Sequence, residues 1–236
     1  MTVHVVSCVS DEVVFEGNLG RSLGSKGFLA GSNGTGNKVV GQSLCRGVTN
    51  VNRSYNEVIR GGTGADWWMF VHEDVYFPDG WLARLFPTME CFRKGMIRVD
   101  LMGVAGVDKA GVQKGHILNR GIEWGSPVKY PQRVKVLDEC VVMMRAKRSD
   151  GPLYFDERAP NHHLGAADLC LRNGDSCFVV NGWCEHNRRV PHEELDLGYL
   201  MSCGYYSAKW SEEVYPLVTT CSRIEKSADG LLRVTV

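Results

Sequence analysis

An excess of charge of either sign is missing from this chain: 27 lysines and arginines stand against 27 aspartates and glutamates. The basic footprint of a nucleic-acid binder is therefore absent, and so is the polybasic stretch that holds a protein on an anionic membrane surface. There is no run of about 18 uncharged apolar residues, so no transmembrane helix is expected. The N-terminus has neither a basic leader nor a long apolar segment, which argues against a secretory signal. Three common signatures are also missing. These are the Gly-x-x-x-x-Gly-Lys-Ser/Thr phosphate loop, a Gly-x-Gly-x-x-Gly turn after the first strand, and the Gly-x-Ser-x-Gly nucleophile elbow. The Gly31-x-x-Gly34-x-Gly36 run precedes no clear helix and does not read as a dinucleotide loop. Nine cysteines include no Cys-x-x-Cys pair, so a zinc ribbon is not indicated. Several lie in apolar runs, such as Cys140 ahead of Val141-Val142-Met143-Met144. They read as buried, reduced thiols. The expectation is a soluble cytoplasmic protein without nucleic-acid partners, able to sit at the inner membrane face through another protein.

What is present is ordinary globular material, 44% hydrophobic and 23% charged over 236 residues. That length suits one or two domains and buries about 70% of the unfolded surface without disulfide or metal staples. Thr2-Val3-His4-Val5-Val6-Ser7-Cys8-Val9 is β-branched and apolar and reads as a buried strand. Ser10 and Asp11 then open a helix to about Leu23, with acidic residues in its first turn. Residues 25–41 read mostly as loop. Leu44, Val48, Val51, Tyr55 and Ile59 recur at helical spacing, which predicts a helix over residues 43–60. Residues 66–71 form a buried strand, 81–91 a helix, and 102–107 and 134–145 two further strands. Residues 108–131 read as a Gly- and charge-rich connection. A helix starts near Ala166, and residues 177–181 form a short strand. Alternating strands and helices predict an α/β layer fold with a mostly parallel central sheet flanked by helices. Such sheets bind ligands beyond the carboxyl ends of their strands. That places Ser10 and Asp11 beside a bound nucleotide, or simply as a helix cap. The division expected is a domain over residues 1–188 and a C-terminal extension over residues 189–236.

The most informative stretch is Trp67-Trp68-Met69-Phe70-Val71-His72-Glu73-Asp74. An apolar strand ends abruptly in three polar side chains. Residues two apart on an extended chain face the same side, so His72 and Asp74 can address one ligand together. Imidazole and carboxylate both bind divalent cations. Asp138 and Glu139 follow another strand and can contact substrate hydroxyls or merely form a turn. His162 reads as exposed, His163 as lining an acceptor pocket. Trp124 and Tyr130, in the long connection, can stack on a sugar or pack.

Phe70-Val71-His72-Glu73-Asp74-Val75, followed by Pro78, Gly80 and Trp81, resembles the metal-and-nucleotide corner of GT-A glycosyltransferases. It is closest to a family-two-like bacterial group with Phe-Val-His-Gln-Asp-Val in that place. Ser54-Tyr55-Asn56-Glu57, the strand from Val136 to Arg145, Phe155-Asp156-Glu157, His163-Leu164 with Asp168-Leu169-Cys170-Leu171, and Asn181 with His186 match the group in order. Together they span roughly residues 2–188. Departures are His72 in place of the first Asp, Gly31-Ser32-Asn33-Gly34 where a nucleobase-contacting acid is common, and Leu164-Gly165-Ala166-Ala167 before Asp168.

The resemblance implies a GT-A (Rossmann-like) fold. It also implies an inverting glycosyltransferase that moves a sugar from a nucleotide-diphosphate donor, UDP-linked by analogy, to an acceptor hydroxyl on a glycan, lipid-linked saccharide or protein. It assigns Asp168 as the base and Asp74 and His186 as ligands of Mn or Mg; together with the strand-end positions above, Ser10, Asp11, His72, Glu73, Asp138 and Glu139 are the expected cofactor-binding residues. On spacing alone, Asp168 reads as a helix-dipole carboxylate and His186 as a structural or solvated histidine. Arg188 and Arg189 can pair with diphosphate oxygens. The alternative function is a non-catalytic sugar-nucleotide or glycan binding module on the same fold. A metal-dependent hydrolase would use the same His and Asp residues.

Overall fold

The structure is a computed structural model and describes residues 1–25, 28, 37–95, 97–187 and 195–236. Its strands are β1 (Thr2–Val9), β2 (Lys38–Arg46), β3 (Trp67–Val71), β4 (Val75–Tyr76), β5 (Leu101–Gly103), β6 (Ala105–Val107), β7 (Gln113–Asn119), β8 (Ile122–Ser126), β9 (Gln132–Arg133), β10 (Val136–Leu137), β11 (Val141–Arg145), β12 (Cys177–Val179), β13 (Glu185–His186), β14 (Leu217–Val218), β15 (Arg223–Lys226) and β16 (Leu232–Thr235). Its α-helices are α1 (Glu12–Phe15), α2 (Arg21–Gly24), α3 (Val51–Gly61), α4 (Trp81–Arg93), α5 (Gly165–Asn173) and α6 (Leu197–Lys209).

The central sheet runs β2-β1-β3-β11-β5-β12-β9. β2, β1, β3, β5 and β12 run one way; β11 and β9 oppose them. This is the expected mostly parallel sheet. Period-two alternation divides its two faces. Val3, Val5, Trp67, Met69 and Val71 pack with Leu82, Leu85 and Met89 of α4. Val6, Trp68 and Phe70 pack with Tyr55 and Ile59 of α3 and with Leu169 of α5. Both faces are covered, so β3 is buried at every residue. That explains why it reads as an unbroken apolar run.

A second sheet, β10-β6-β7-β13-β4, carries β8 on β7 and builds the wall of the site. A third, β14-β15-β16, packs with α5 and α6 through Leu164, Ala167, Tyr206, Leu217 and Ile224.

Four sequence expectations need correction. Residues 43–46 are strand, not helix: β2 pairs in parallel with β1, Cys45 opposite Cys8 and Arg46 opposite Val9. The helix starts at Val51, where the Asn50 side chain accepts the Arg53 N–H at 2.9 Å. Pairing with a buried neighbour outweighs local spacing. Residues 102–107 are two strands in two different sheets, with Val104 as the step between them. Residues 134–145 likewise split into β10 and β11 around the turn at Asp138-Glu139-Cys140. Residues 108–131 hold the β7–β8 hairpin.

That hairpin depends on glycines. Gly115 has φ +71°, and a Cβ there would lie 2.0 Å from the Val104 carbonyl oxygen. At Gly125, φ +77°, it would lie 2.2 Å from the Gly115 carbonyl. Left-handed backbone alone costs a side chain about 1–3 kcal/mol, and the clash adds to it. Gly115→Ala is therefore expected to destabilise the fold by more than about 2 kcal/mol, read as a lower midpoint in urea. A midpoint equal to wild type would show that the hairpin relaxes freely.

Candidate active site

β3 delivers the chain to a tight turn at the carboxyl edge of the sheet. The His72 N–H donates to the Cys140 carbonyl at 3.1 Å, and the Val75 N–H to the His72 carbonyl at 3.3 Å. β4 then pairs with β13, setting His186 opposite Val75, and the Asn187 N–H donates to the Asp74 carbonyl at 2.9 Å. On its other side β13 pairs with β7, His186 opposite Asn119. Backbone pairing from two directions therefore lays His186 over Asp74.

His72, Asp74 and His186 each offer a ligand atom, all within 4.8 Å of one another. His186 Nε2 lies 3.4 Å from Asp74 Oδ1. This is ion-pair distance, yet Asp74 Oδ1 is buried and accepts no aligned hydrogen bond. The rings of His72 and His186 are 5.6 Å apart, centroid to centroid. Burial pushes the Asp74 carboxyl up, but His186 and His72 outweigh it and hold its pKa at about 2. Burial lowers the His72 pKa against the pull of Asp74, which favours a neutral ring with a free lone pair. A charged carboxylate and two imidazoles converging on one point are a donor set that could hold a divalent cation. Two nitrogens make it softer than the all-oxygen shell that magnesium prefers, so manganese is the better fit of the two.

These residues line a cavity of about 250 Å³. Its far wall comes from the turn after β10, the segment before α5, and α6 with the loop after β14. His162 belongs to that wall. It is half-buried, not exposed as the sequence suggested, and its ring meets His72 edge-on at 5.4 Å. Burial, with His72 and His163 adding, pushes its pKa well below the ordinary value. Leu164 turns the chain into α5 at φ +63°, a strained conformation for leucine. Asp138 Oδ1 accepts the Cys140 N–H at 2.8 Å, and its other oxygen accepts the Thr220 hydroxyl. Burial raises the Asp138 pKa, but His186 and these hydrogen bonds leave it low. Trp124 lines the cavity; Tyr130 is exposed.

Other expected site residues lie elsewhere. Glu73 accepts the Ser10 N–H at 2.7 Å, the Ser10 hydroxyl at 2.6 Å and the Asp11 N–H at 3.1 Å. Asp11 caps α1, accepting Val13 N–H at 2.9 Å and Val14 N–H at 3.1 Å. Ser10, Asp11 and Glu73 thus bind one another at the end of β1 and do not line the cavity. Asp168 needs correction. It is fully buried and bound by Arg172 Nε at 2.8 Å, Lys209 Nζ at 2.8 Å and Trp210 Nε1 at 3.1 Å. It does not reach the cavity, so it is not placed to take a proton there. Its i,i+4 pairing with Arg172 and the docking of α6 explain its burial. Arg188, Arg189 and residues 31–34 lie outside the described residues.

Two matched segments turn out to position the site. The Asn56 side chain donates to the Phe155 carbonyl and accepts the Phe155 N–H, both at 2.9 Å. Tyr55 packs on Phe70 and Phe155, with ring centroids 4.8 and 5.2 Å away. Sequence reasoning missed Asn119, Asp196 and Thr220 in the cavity wall. Asp196 had a signal, as an acid just before an apolar helical run. Its side chain indeed caps α6, accepting the Tyr199 N–H at 2.7 Å.

No protein-family model matches the chain. No curated protein matches it. Solved structures do. S. aureus TarS, a glycosyltransferase, aligns with TM-score 0.50 and 12% identity over 89% of this chain and 39% of TarS. S. aureus TarS 1–349 aligns with TM-score 0.52 and 11% identity, over 89% of this chain and 65% of that one. The same fragment in complex with UDP-GlcNAc gives TM-score 0.52 and 12% identity, over 89% and 66%. This chain thus spans less than two thirds of each of these proteins. At such identities the likeness bears on architecture alone: the chain shares the fold of TarS.

Proposed function

We propose that the chain transfers a sugar, with inversion, from a nucleotide-diphosphate donor to an acceptor hydroxyl, with a divalent cation at His72, Asp74 and His186. The observation that carries this reading is the convergence of those three side chains at the end of β3, in a cavity of the fold shared with TarS. A cation bound there supplies Lewis-acid stabilisation to a departing diphosphate. His72, whose pKa burial lowers, presents a neutral nitrogen to it, and Asp74 a negative charge. The knot of Ser10, Asp11 and Glu73 shapes the place for the nucleoside at the end of β1, where open α/β sheets receive ligands. Asp138, Glu139, His162 and His163 form the opposite wall and face the acceptor. The UDP-GlcNAc held by TarS 1–349 supports a UDP-linked donor.

Calorimetry of UDP with and without manganese, followed by UDP release from a panel of UDP-sugars, tests this. Metal-dependent binding and release support it. Absence of UDP binding with the metal present would sink it. Binding without release would favour the sugar-nucleotide binding module, the reading that the burial of Asp168 favours.

Manganese affinity should also depend on pH in a defined direction. Ring nitrogens must be unprotonated to ligate, so affinity is expected to fall on acidification and not to rise at any point. Asp74, at about 2, stays charged throughout. His72, lowered by burial, stays neutral below the ordinary imidazole range. Titration with manganese chloride at a series of pH values reads the curve directly. Affinity that rises on acidification would exclude these histidines as ligands.

A further inference from the structure

With Asp168 out of reach, the reaction lacks a proton acceptor, and the cavity wall contains a replacement. Its lining includes four carboxylates: Asp74, Asp138, Glu139 and Asp196. Asp74 belongs to the cation cluster. Asp138 is used at both oxygens, by the Cys140 N–H and the Thr220 hydroxyl. Asp196 spends one oxygen on the Tyr199 N–H and sets the other 3.3 Å from His163 Nε2. Glu139 differs. Its Oε1 lies 3.3 Å from His163 Nδ1, while its Oε2 is buried and takes no hydrogen bond. A buried acceptor left unsatisfied is costly unless something donates to it. A substrate hydroxyl is such a donor.

His163 is held on several sides. Its two ring nitrogens face Glu139 and Asp196, its ring lies edge-on to Tyr199 at 5.6 Å, and its backbone N–H donates to Asn161 Oδ1 at 3.0 Å. A carboxylate, an imidazole and a second carboxylate thus form a line from the cavity to the first turn of α6. A ring pinned between two carboxylates fixes the rotamer of the one that does chemistry, the arrangement by which a third group orients a base.

We infer that Glu139 is the base that takes the acceptor's proton, and that His163 and Asp196 position it. This inference rests on the glycosyl-transfer reading above. As the acceptor oxygen forms its bond to the anomeric carbon, its proton passes to the Glu139 carboxylate. The bond from that carbon to the diphosphate oxygen breaks, and its electron pair leaves with the nucleoside diphosphate. The positioning role also ties residues 196–209 to the chemistry: α6 presents Asp196 through its own N-cap.

The experiment measures UDP release from UDP-GlcNAc and other UDP-sugars with manganese, using water and free monosaccharides as acceptors. UDP–manganese binding is followed in parallel by calorimetry. Glu139→Gln, nearly isosteric, is expected to lower kcat about 100- to 10,000-fold while leaving the Kd for UDP with manganese within about threefold, a change under ~1 kcal/mol. Formate is expected to restore part of the rate of Glu139→Ala, because it brings a carboxylate into the space left. A merely structural glutamate would show no such rescue. Asp196→Asn keeps the helix cap, since Asn caps as well as Asp. It should therefore lower kcat by about tenfold without changing the melting midpoint or KM. A Glu139→Gln protein with the wild-type rate overturns the assignment. A wild-type protein that binds UDP and manganese yet releases UDP from no donor defeats the glycosyl-transfer reading and favours the binding module instead. If UDP with manganese does not bind at all, the glycosyl-transfer reading itself fails.

Discussion

Asp74→Asn is expected to abolish manganese-dependent UDP binding and to reduce donor turnover by on the order of 1,000-fold. Such a factor corresponds to about 4 kcal/mol of lost charge stabilisation, the scale on which a bound cation acts. The carboxylate is the one negative charge in the cluster of His72, Asp74 and His186. An amide supplies an oxygen of similar shape but no charge to offset a divalent ion. The fold should survive, because the Asp74 carbonyl still receives the Asn187 N–H and β4 still pairs with β13. The decisive measurement is the calorimetric titration of UDP with and without manganese, next to a melting curve. A variant that melts normally and binds UDP with manganese as wild type does would remove Asp74 from the metal site.

Asp168→Asn is expected to act on stability. Asp168 is fully buried and receives Arg172, Lys209 and the Trp210 indole. Lys209 also pairs with Asp156 at 2.8 Å, so the variant leaves a cation-rich knot short of one negative charge. Breaking a buried pair from one side costs about 3–5 kcal/mol. For a chain of this size each kcal/mol lowers the melting midpoint by about 2–4 °C. A fall of about 10 °C is therefore expected, with turnover per folded molecule near wild type at low temperature. The opposite pattern, an unchanged midpoint with turnover lost, would restore Asp168 as the base.

Much of the scaffold was legible because its signals are local. The run from Trp67 to Val71 is apolar at every position and is buried at every position. Asp11 was read as a cap or a nucleotide contact, and it caps α1. The spacing of His72 and Asp74 follows from the period of an extended chain, and both do reach one cluster. The helix expected over residues 43–60 failed in its first turn because β2 is made by pairing with β1, which leaves no trace in its own spacing. Residues 102–107 and 134–145 were each read as one strand because apolar runs do not reveal a change of sheet. His162 looked exposed since its neighbours in the chain are polar; the residues that bury it are distant in sequence.

The sequence by itself determined the layered α/β class, the buried first and third strands, and a pair of metal-binding residue types at one strand end. All of these are set by short-range periodicity and by residue chemistry. The family resemblance added His186 to that pair, and only the tertiary structure supplies the geometry that brings it there. His186 arrives through β13, paired between β4 and β7, and the wall of Glu139, His163 and Asp196 assembles only when α6 docks. It also decided the fate of Asp168. An acid at the start of a helix reads the same whether it faces a substrate or a lysine, and only packing chooses between them.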